Sequence, residues 1–329
     1  MKAVVVQRPG ATELTTVTEP EIGPDEALVK VLGCGICGTD HHILEGGLPT
    51  VSYPVIPGHE GWGEVVAIGR DQPLHVGELV AVDPSLHCGG CSQCRRGHGN
   101  LCEAWGSIGG TRPGAWAELV AVPVRNAYAL PDDYPTEVAV LIEPVACLLR
   151  GMKVLNPEVD RSALVFGAGT IGILWALALR LAGLRLAGVV ETDTVRRELC
   201  SRNFDLPVLA WGEAASVEAD YVIDATGNAS AMEEAIWRAR PGGTVMLFGV
   251  AGTDVRVPMS PFRLYQRELR VVSSMAILHT YGDAVNFVAA HAGLLRPVVT
   301  GAFGLESFGQ ALAQLHGGAA LKIALDPNL

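Results

Sequence analysis

A glycine-rich turn near the middle of the chain narrows the range of possible folds more than any other feature. The segment Gly167-Ala-Gly-Thr-Ile-Gly172 follows the apolar run 163–166 and opens a long stretch rich in Leu and Ala. In this position the first glycine allows a tight turn, the second allows the backbone to approach pyrophosphate closely, and the third allows the helix to pack closely on the strand. The N-terminus of the helix also offers a positive end to phosphates. We therefore predict that a dinucleotide contacts Gly167, Gly169, Thr170, Ile171 and Gly172.

The two halves of the chain have different patterns of apolar residues. Up to about residue 145 the chain is rich in Gly and Pro and has short Val-rich runs, which are typical of a compact all-β unit: 27–31, 63–67 and 118–122. Beyond residue 162, apolar runs alternate with helical stretches, which indicates a parallel sheet covered on both faces: the runs are 186–190, 221–224, 244–249 and 269–272. A length of 329 residues suggests about two domains. The sequence thus predicts an all-β domain followed by a doubly wound α/β domain.

Composition excludes several classes of function. The net charge is −11 and basic residues form only short pairs such as Arg95-Arg96, so the chain lacks the basic surface that nucleic acids require. The first ten residues do not resemble a signal peptide, and the most apolar stretch, 171–181, is too short to span a bilayer and contains Arg180. We expect a globular cytoplasmic protein with no membrane or nucleic-acid partner.

Four of the eight cysteines lie in one short loop, at Cys88, Cys91, Cys94 and Cys102. Two-residue gaps let neighbouring sulfurs converge on one centre, and nearby glycines relieve the tight backbone. In a chain expected in the cytosol, such clustering indicates a metal rather than disulfides. Four thiolates suit a closed structural zinc site and an iron–sulfur cluster about equally well, so the loop by itself leaves both open.

A second set of metal-binding residue types is spread along the first domain. Cys37 lies within the segment Cys34-Gly-Ile-Cys-Gly-Thr-Asp-His-His42, and His59 and Glu143 follow later. One thiolate, one imidazole and one carboxylate would give zinc three protein ligands and leave a position for water or substrate, as a catalytic zinc requires. From spacing alone, an ordinary buried histidine and a solvated glutamate remain the alternative.

Together these segments resemble the zinc-dependent medium-chain alcohol dehydrogenases. The likeness covers essentially the whole chain, and its segments occur in the order found in that family: 34–42, Gly58-His-Glu60, the four-thiol loop, Glu143-Pro144 and 167–172. It implies a GroES-like all-β catalytic domain, a Rossmann nucleotide-binding domain and a C-terminal return to the catalytic domain, at 1–145, 146–288 and 289–329. It also implies two zinc ions per chain, one catalytic and one structural at the four thiols, and a homodimer or homotetramer.

The resemblance assigns roles around the catalytic zinc. It makes Cys37 and His59 ligands, with Glu60 beside them as a carboxylate able to approach or exchange onto the metal. Glu143 falls where one branch of the family has cysteine and the sorbitol-type polyol dehydrogenases have glutamate, so it favours the polyol-like branch. A carboxylate in place of a thiolate should leave zinc more electrophilic and its ligand shell more labile.

The resemblance also implies a proton relay on the segment that carries Cys37. Asp40 matches the carboxylate that fixes the tautomer of the ligand histidine. Thr39 matches the hydroxyl that takes the substrate proton away from zinc, and His42 matches the histidine at the solvent end of the relay. In the implied mechanism, bound zinc would lower the pKa of the substrate hydroxyl, the proton would leave through Thr39 and the cofactor ribose to His42, and the substrate carbon would give hydride to the nicotinamide.

The choice of cofactor depends on two residues that follow the glycine turn. Glu191 comes nineteen residues after Gly172, at the end of the next apolar run, where an acid binds the ribose hydroxyls of NAD and repels a 2′-phosphate. NAD is therefore predicted, although Arg196 is near enough in sequence to bind a phosphate and permit NADP. By resemblance, the nicotinamide side would be lined by Val250, Ser273, Ser274 and Met275.

These observations predict an NAD- and zinc-dependent oxidoreductase that interconverts a secondary alcohol and a ketone, with a polyol, sugar or cyclitol as substrate. One alternative is an NADP-dependent reductase of simple alcohols and aldehydes. Another is a non-catalytic relative that binds zinc and nucleotide. A panel of polyols and short alcohols with both cofactors separates these readings.

Overall fold

The structure is a computed structural model that describes residues 1–70 and 73–329. Its contacts divide the chain into two units, each assembled from separate segments. The first unit comprises Met1–Cys147, Ala276–His316 and Lys322–Leu329, and the second comprises Leu148–Met275 and Gly317–Leu321.

The described residues form seventeen strands, which are β1 (Lys2–Arg8), β2 (Ala11–Thr16), β3 (Glu26–Gly35), β4 (Glu60–Ile68), β5 (Leu79–Val82), β6 (Ser85–Leu86), β7 (Gly106–Ser107), β8 (Leu119–Pro123), β9 (Ala127–Ala129), β10 (Ser162–Phe166), β11 (Arg185–Val190), β12 (Val208–Leu209), β13 (Ala219–Asp224), β14 (Ala239–Leu247), β15 (Arg270–Ser273), β16 (Val299–Phe303) and β17 (Lys322–Leu325).

They also form ten α-helices, which are α1 (Gly38–Glu45), α2 (Ser92–Arg95), α3 (Ile142–Leu155), α4 (Thr170–Leu181), α5 (Thr194–Asn203), α6 (Ala229–Arg238), α7 (Pro261–Arg267), α8 (Tyr281–Ala290), α9 (Ala292–Leu295) and α10 (Phe308–His316). Short 3₁₀ helices cover Gly99–Leu101, Val124–Asn126, Thr136–Leu141, Trp211–Ser216, Arg296–Val298 and Leu305–Ser307. Within the described ranges, every helix is too short or too polar to cross a bilayer.

The first unit is built around strand β3, which pairs antiparallel with β4, β8 and β17. Alternate residues of β3 point into the core, where Ala27, Val29 and Val31 are almost fully buried. This alternation is what the Val-rich run at 27–31 predicts for a strand with one buried face. The remaining strands extend the sheet in the order β16-β17-β3-β4-β5-β9, so the last strands of the chain lie beside one of the first.

The second unit contains a six-stranded parallel sheet in the order β12-β11-β10-β13-β14-β15. Relative to its first strand, β10, this is the doubly wound order 3-2-1-4-5-6 of Rossmann folds. Strand β10 is buried along its whole length, as expected of a central strand in a sheet with helices on both faces. The predicted fold class, an all-β unit together with a doubly wound α/β unit, is confirmed.

Helix α8 belongs to the first unit. The Tyr281 hydroxyl donates a hydrogen bond to the Val82 carbonyl at 2.7 Å, and the Tyr134 hydroxyl donates to the Val285 carbonyl at 3.1 Å. The main segment of the second unit ends at Met275, earlier than the boundary at 288 that the family resemblance implies.

Candidate active site

The end of β3 and the start of β4 bring three potential metal ligands together. Gly35 and Glu60 are direct cross-strand partners in this antiparallel pair, and Cys37 follows Gly35 at the entrance to α1. The side chains of Cys37, His59 and Glu60 each offer one donor atom, and these three atoms lie within 4.8 Å of one another. These residues therefore converge because they lie at or just beyond the adjacent ends of two neighbouring strands.

A buried carboxylate behind this group orients the histidine. Asp40 is fully buried, and its Oδ1 lies 3.3 Å from Nδ1 of His59. Its Oδ2 accepts a hydrogen bond from the Cys37 backbone N–H at 2.9 Å, which fixes the carboxylate at the start of α1. An Nδ1–H that donates to Asp40 leaves Nε2 of His59 as the metal-binding nitrogen.

The charges around His59 suit a cation. Burial lowers the pKa of the His59 imidazole, but the charges and hydrogen bonds of Asp40 and Cys37 together raise the pKa well above its ordinary value. Thiolate, imidazole and carboxylate are ligands of borderline softness that zinc accepts, and a carboxylate bonded to the far nitrogen of the imidazole is the usual outer partner. The residues present therefore fit a zinc ion.

Glu143 lies close to Cys37, His59 and Glu60, but its carboxylate is not one of the three donor atoms that converge. It occupies the first turn of α3, is buried, and has Cys147 Sγ 3.5 Å from its Oε1. Burial raises the pKa of the Glu143 carboxyl to about 7, while the charge of His59 opposes the shift and that of Glu60 adds to it. The carboxylate in the group of three is thus that of Glu60, and direct ligation by Glu143 remains a prediction.

Lys322, which the sequence analysis did not identify, completes the surroundings of Glu60. Its Nζ lies 2.6 Å from Oε1 and 2.5 Å from Oε2 of Glu60, and both side chains are almost fully buried. Burial lowers the pKa of Lys322, yet the charges of Glu60 and Cys37 raise it above its ordinary value. The only sequence signal was a single lysine among the apolar residues of the C-terminal strand.

Thr39 and His42, the predicted relay residues, both lie on α1 and are half-buried. Their spacing of three residues places them on the same side of the helix. Two other polar residues of the segment make contacts outside the metal group: Cys34 is buried with Sγ 3.5 Å from the Gly35 carbonyl, and His41 pairs with Glu45 at 3.3 Å.

The four-thiol loop forms a separate compact cluster. Sγ of Cys102 lies 3.5 Å from that of Cys88 and 3.9 Å from that of Cys91. Zinc–sulfur bonds of about 2.3 Å in a tetrahedron place sulfurs roughly 3.8 Å apart, so these separations fit a single four-coordinate ion. Backbone N–H groups donate to several of the sulfurs and lower the pKa of Cys88, and that of Cys91 to about 6, whereas burial and the neighbouring thiols raise the pKa of Cys94 to about 12.

The glycine turn of the second unit has the backbone geometry that the pattern requires. Gly167 has φ +97°, a region that favours glycine, and a Cβ on Gly172 would lie 1.7 Å from the Gly167 carbonyl oxygen. A Cβ on Gly169 would meet nothing within 4 Å. Helix α4 begins at Thr170, so Thr170, Ile171 and Gly172 form its first turn, at the carboxyl end of β10.

Glu191 lies directly after β11 and faces this turn. Its Oε2 accepts a hydrogen bond from the Ala168 N–H at 3.0 Å, and its Oε1 accepts one from the Asp193 N–H at 2.9 Å. Arg196 Nη1 is 3.6 Å from Glu191 Oε2. Gly167, Gly169, Glu191 and Arg196 all line one open cavity of the second unit, so the predicted cofactor residues on this side do converge.

The other predicted cofactor residues lie at the same edge of the sheet. Val250 follows β14, Ser273 ends β15, and Ser274 and Met275 come next. Val250 and Met275 are 64% and 41% exposed, which leaves their side chains accessible. Ligands of doubly wound sheets bind beyond the carboxyl ends of the strands, where these residues lie.

Comparisons with known proteins agree with both units. Two family models match: the alcohol dehydrogenase GroES-like domain over residues 23–132 and the glucose dehydrogenase C-terminus over residues 136–326. D-altritol 5-dehydrogenase of Agrobacterium fabrum is 34% identical over 88% of this chain and 92% of its own length. D-arabinitol dehydrogenase 1 of Uromyces fabae is 30% identical over 100% of this chain and 97% of its own. A structure described as a zinc-binding dehydrogenase from Sinorhizobium meliloti 1021 bound to NADP is 30% identical, with a TM-score of 0.92 over 99% of each chain.

Proposed function

We propose that this chain, which belongs to the zinc-dependent medium-chain alcohol dehydrogenase family, oxidises a secondary hydroxyl of a polyol, sugar or cyclitol with NAD as hydride acceptor. The observation that carries the proposal is the convergence of Cys37, His59 and Glu60 within 4.8 Å, with Asp40 bonded behind the imidazole. A binding protein would not need this arrangement of metal donors.

Zinc would be held by Cys37 and His59, with Glu143 and Glu60 as the carboxylates nearby. When bound, zinc supplies a Lewis acid that lowers the pKa of a substrate hydroxyl, and NAD supplies the hydride acceptor. Asp40 holds His59 in the tautomer that presents Nε2. Thr39 would accept the substrate proton at its hydroxyl oxygen while its own hydroxyl proton passes on through the cofactor ribose, and His42 would take up that proton and release one to solvent.

We also propose zinc at Cys88, Cys91, Cys94 and Cys102, where four sulfurs leave no position for substrate. The sulfur–sulfur separations of 3.5 and 3.9 Å support one ion rather than a cluster, because an iron–sulfur cluster spreads its thiolates over several irons. We propose a cytoplasmic location, because cysteine clusters that bind metal are typical of compartments that keep thiols reduced. A homodimer or homotetramer is expected from the family resemblance, and analytical ultracentrifugation would measure it.

Two features support a polyol as substrate. Glu143 takes the position at which the sorbitol-type branch of the family has glutamate. The relatives named above are, by name, dehydrogenases of D-altritol and D-arabinitol, which are both sugar alcohols. We therefore expect higher kcat/KM for polyols than for short alcohols.

NAD is supported by Glu191, whose carboxylate is fixed at the edge of the cofactor cavity by two backbone N–H groups. A second candidate, NADP, is favoured by Arg196. Its guanidinium lines the same cavity, and its Nε is buried with no hydrogen-bond partner among the described residues. The similar structure from Sinorhizobium meliloti holds NADP.

The test is a substrate screen with zinc-loaded protein, in which NADH or NADPH formation is followed with D-altritol, D-arabinitol, other polyols, cyclitols and short secondary alcohols. We expect turnover of at least one polyol with NAD. Preference for short alcohols with NADP would instead support the simple alcohol reductase. Protein that binds zinc and NADH but oxidises nothing in the panel would support the non-catalytic alternative.

A further inference from the structure

The ammonium group of Lys322 is fully engaged inside the first unit. Its Nζ lies 2.6 and 2.5 Å from the two carboxylate oxygens of Glu60 and 2.9 Å from the Ile36 carbonyl oxygen. An ammonium has three N–H donors, and three acceptors surround this one. The side chains of Lys322 and Glu60 are 3% and 0% exposed, so solvent does not compete for either charge.

Glycine at position 35 makes this ion pair possible. Gly35 on β3 pairs with Glu60 on β4 and with Ala324 on β17, so it lies between the strands that carry the two charges. A Cβ on Gly35 would lie 1.9 Å from Oε2 of Glu60 and 3.0 Å from its Cδ. The Glu60 carboxylate therefore crosses β3 through the space that the side chain of any other residue at position 35 would occupy.

The same carboxylate also lies within 4.8 Å of the donor atoms of Cys37 and His59. Two cations would therefore compete for it, the Lys322 ammonium and the zinc ion proposed at Cys37. A carboxylate that pairs with an ammonium through both oxygens has less negative charge and fewer lone pairs to offer a metal.

We propose that Lys322 is a positioning residue that holds the Glu60 carboxylate beside the zinc and not on it, and thereby keeps a coordination position open for substrate. The inference rests on the proposed zinc site at Cys37 and His59. The last strand of the chain thus sets the ligand shell of a metal bound by residues near its beginning. Without Lys322, the buried carboxylate has the metal as its remaining cation and becomes a ligand.

The test compares the rate at which zinc leaves the Cys37 site for an excess of chelator. Lys322→Met removes the charge and keeps a long side chain, and we expect zinc release at least about tenfold slower because Glu60 adds a ligand. In the double variant Lys322→Met/Glu60→Gln the release rate should return to within about threefold of the wild type, since Lys322 acts only through Glu60. Gly35→Ala, which displaces the carboxylate from its channel, should also slow release.

A second readout is the absorption spectrum of the cobalt-substituted protein, which reports coordination number. Lys322→Met should show a change toward higher coordination that the double variant lacks. Equal spectra and equal release rates in the single and double variants would overturn the inference. If Lys322→Met folds only in the presence of zinc, the result supports the inference, because the buried Glu60 carboxylate then depends on the metal as its cation. If it fails to fold even with zinc while the double variant folds, the inference is wrong.

Zinc content distinguishes failure of this inference from failure of the proposed function. Wild-type protein should lose one zinc ion on Cys37→Ser substitution. If it does not, the zinc site itself is misassigned, and the inference about Lys322 is wrong together with the proposed function.

Discussion

At the scale of single residues, Asp40 determines the geometry of the candidate site. It bonds the Cys37 backbone and faces Nδ1 of His59 from a fully buried position. Asp40→Asn keeps the size and can still accept from the Cys37 N–H, but its neutral amide holds the histidine tautomer less firmly. We expect zinc affinity at the Cys37 site or kcat to fall about 10- to 100-fold.

Chelator competition and initial rates measure these two quantities for Asp40→Asn, and NADH binding is the control. NADH affinity should not change, because Asp40 lies in the unit that carries the zinc sites. Unchanged zinc affinity together with unchanged kcat would contradict the role of Asp40.

Cofactor choice is a second property decided by single residues. Glu191→Gln retains a carbonyl oxygen for one backbone N–H but removes the negative charge beside Arg196. Loss of a charge-assisted hydrogen bond costs about 1.5–3 kcal/mol, which corresponds to tenfold or more in kcat/KM. We therefore expect the ratio of kcat/KM for NAD to that for NADP to fall at least about tenfold.

Arg196→Ala is the matched variant for Glu191→Gln. In an NAD enzyme it should leave kcat/KM for NAD within about threefold and lower any activity with NADP. An unchanged cofactor ratio in Glu191→Gln, with a large loss of NAD activity in Arg196→Ala, would reverse the assignment of the two residues.

At the scale of elements, the glycine turn before α4 offers two substitutions with opposite expectations. Gly172→Ala places a Cβ 1.7 Å from the Gly167 carbonyl oxygen, so the turn must shift. Such overpacking costs about 1–3 kcal/mol and should lower the melting temperature of the protein without cofactor. Gly169→Ala meets nothing within 4 Å and has φ −72°, so its melting temperature should not change.

Titration with NADH then separates the two glycine variants by function. Gly169→Ala should weaken NADH binding, since its methyl group occupies the space through which pyrophosphate approaches the backbone. Full NADH affinity in Gly169→Ala would show that the cofactor does not approach this turn.

The four-thiol loop is the other element with a specific expectation. Cys94→Ser removes one sulfur from a cluster that holds a loop with little core of its own, since the loop residues Cys88 and Gly89 are exposed. We expect a lower melting temperature or impaired assembly, with loss of one zinc ion, because a closed zinc site contributes folding energy. A zinc-depleted Cys94→Ser protein of unchanged stability and assembly would contradict a structural role.

Local patterns predicted most of these elements. The Val-rich run at 27–31 and the alternation of apolar runs with helices beyond residue 162 specify β3 and the parallel sheet, because strand and helix periods are encoded by adjacent residues. Helix α3 is not predicted from the sequence, and its Pro144 lies in the first turn, where proline is tolerated. The composition of the segment that contains the C-terminal helices does not indicate which of the two units this segment joins.

At the scale of the whole molecule, the features that the sequence does not predict are contacts between residues far apart in the chain. The pair Lys322 and Glu60 joins residues 262 positions apart, and no local pattern marks it. Its formation depends on β17 lying beside β3: the family resemblance implies that the C-terminal segment returns to this domain, but it does not say which strand that segment pairs with. By contrast, Cys37 and His59 were found from residue types and family order, and the structure brings their donor atoms together.

The central claim is that a zinc ion at Cys37 and His59 performs the chemistry, and the zinc content of Cys37→Ser tests it most directly when turnover and NADH binding are measured on the same preparation. We expect two zinc ions per wild-type chain, one per Cys37→Ser chain, no detectable polyol oxidation by the variant, and an NADH dissociation constant within about threefold of the wild type. Two zinc ions in both proteins, or zinc loss accompanied by loss of NADH binding, would contradict the account.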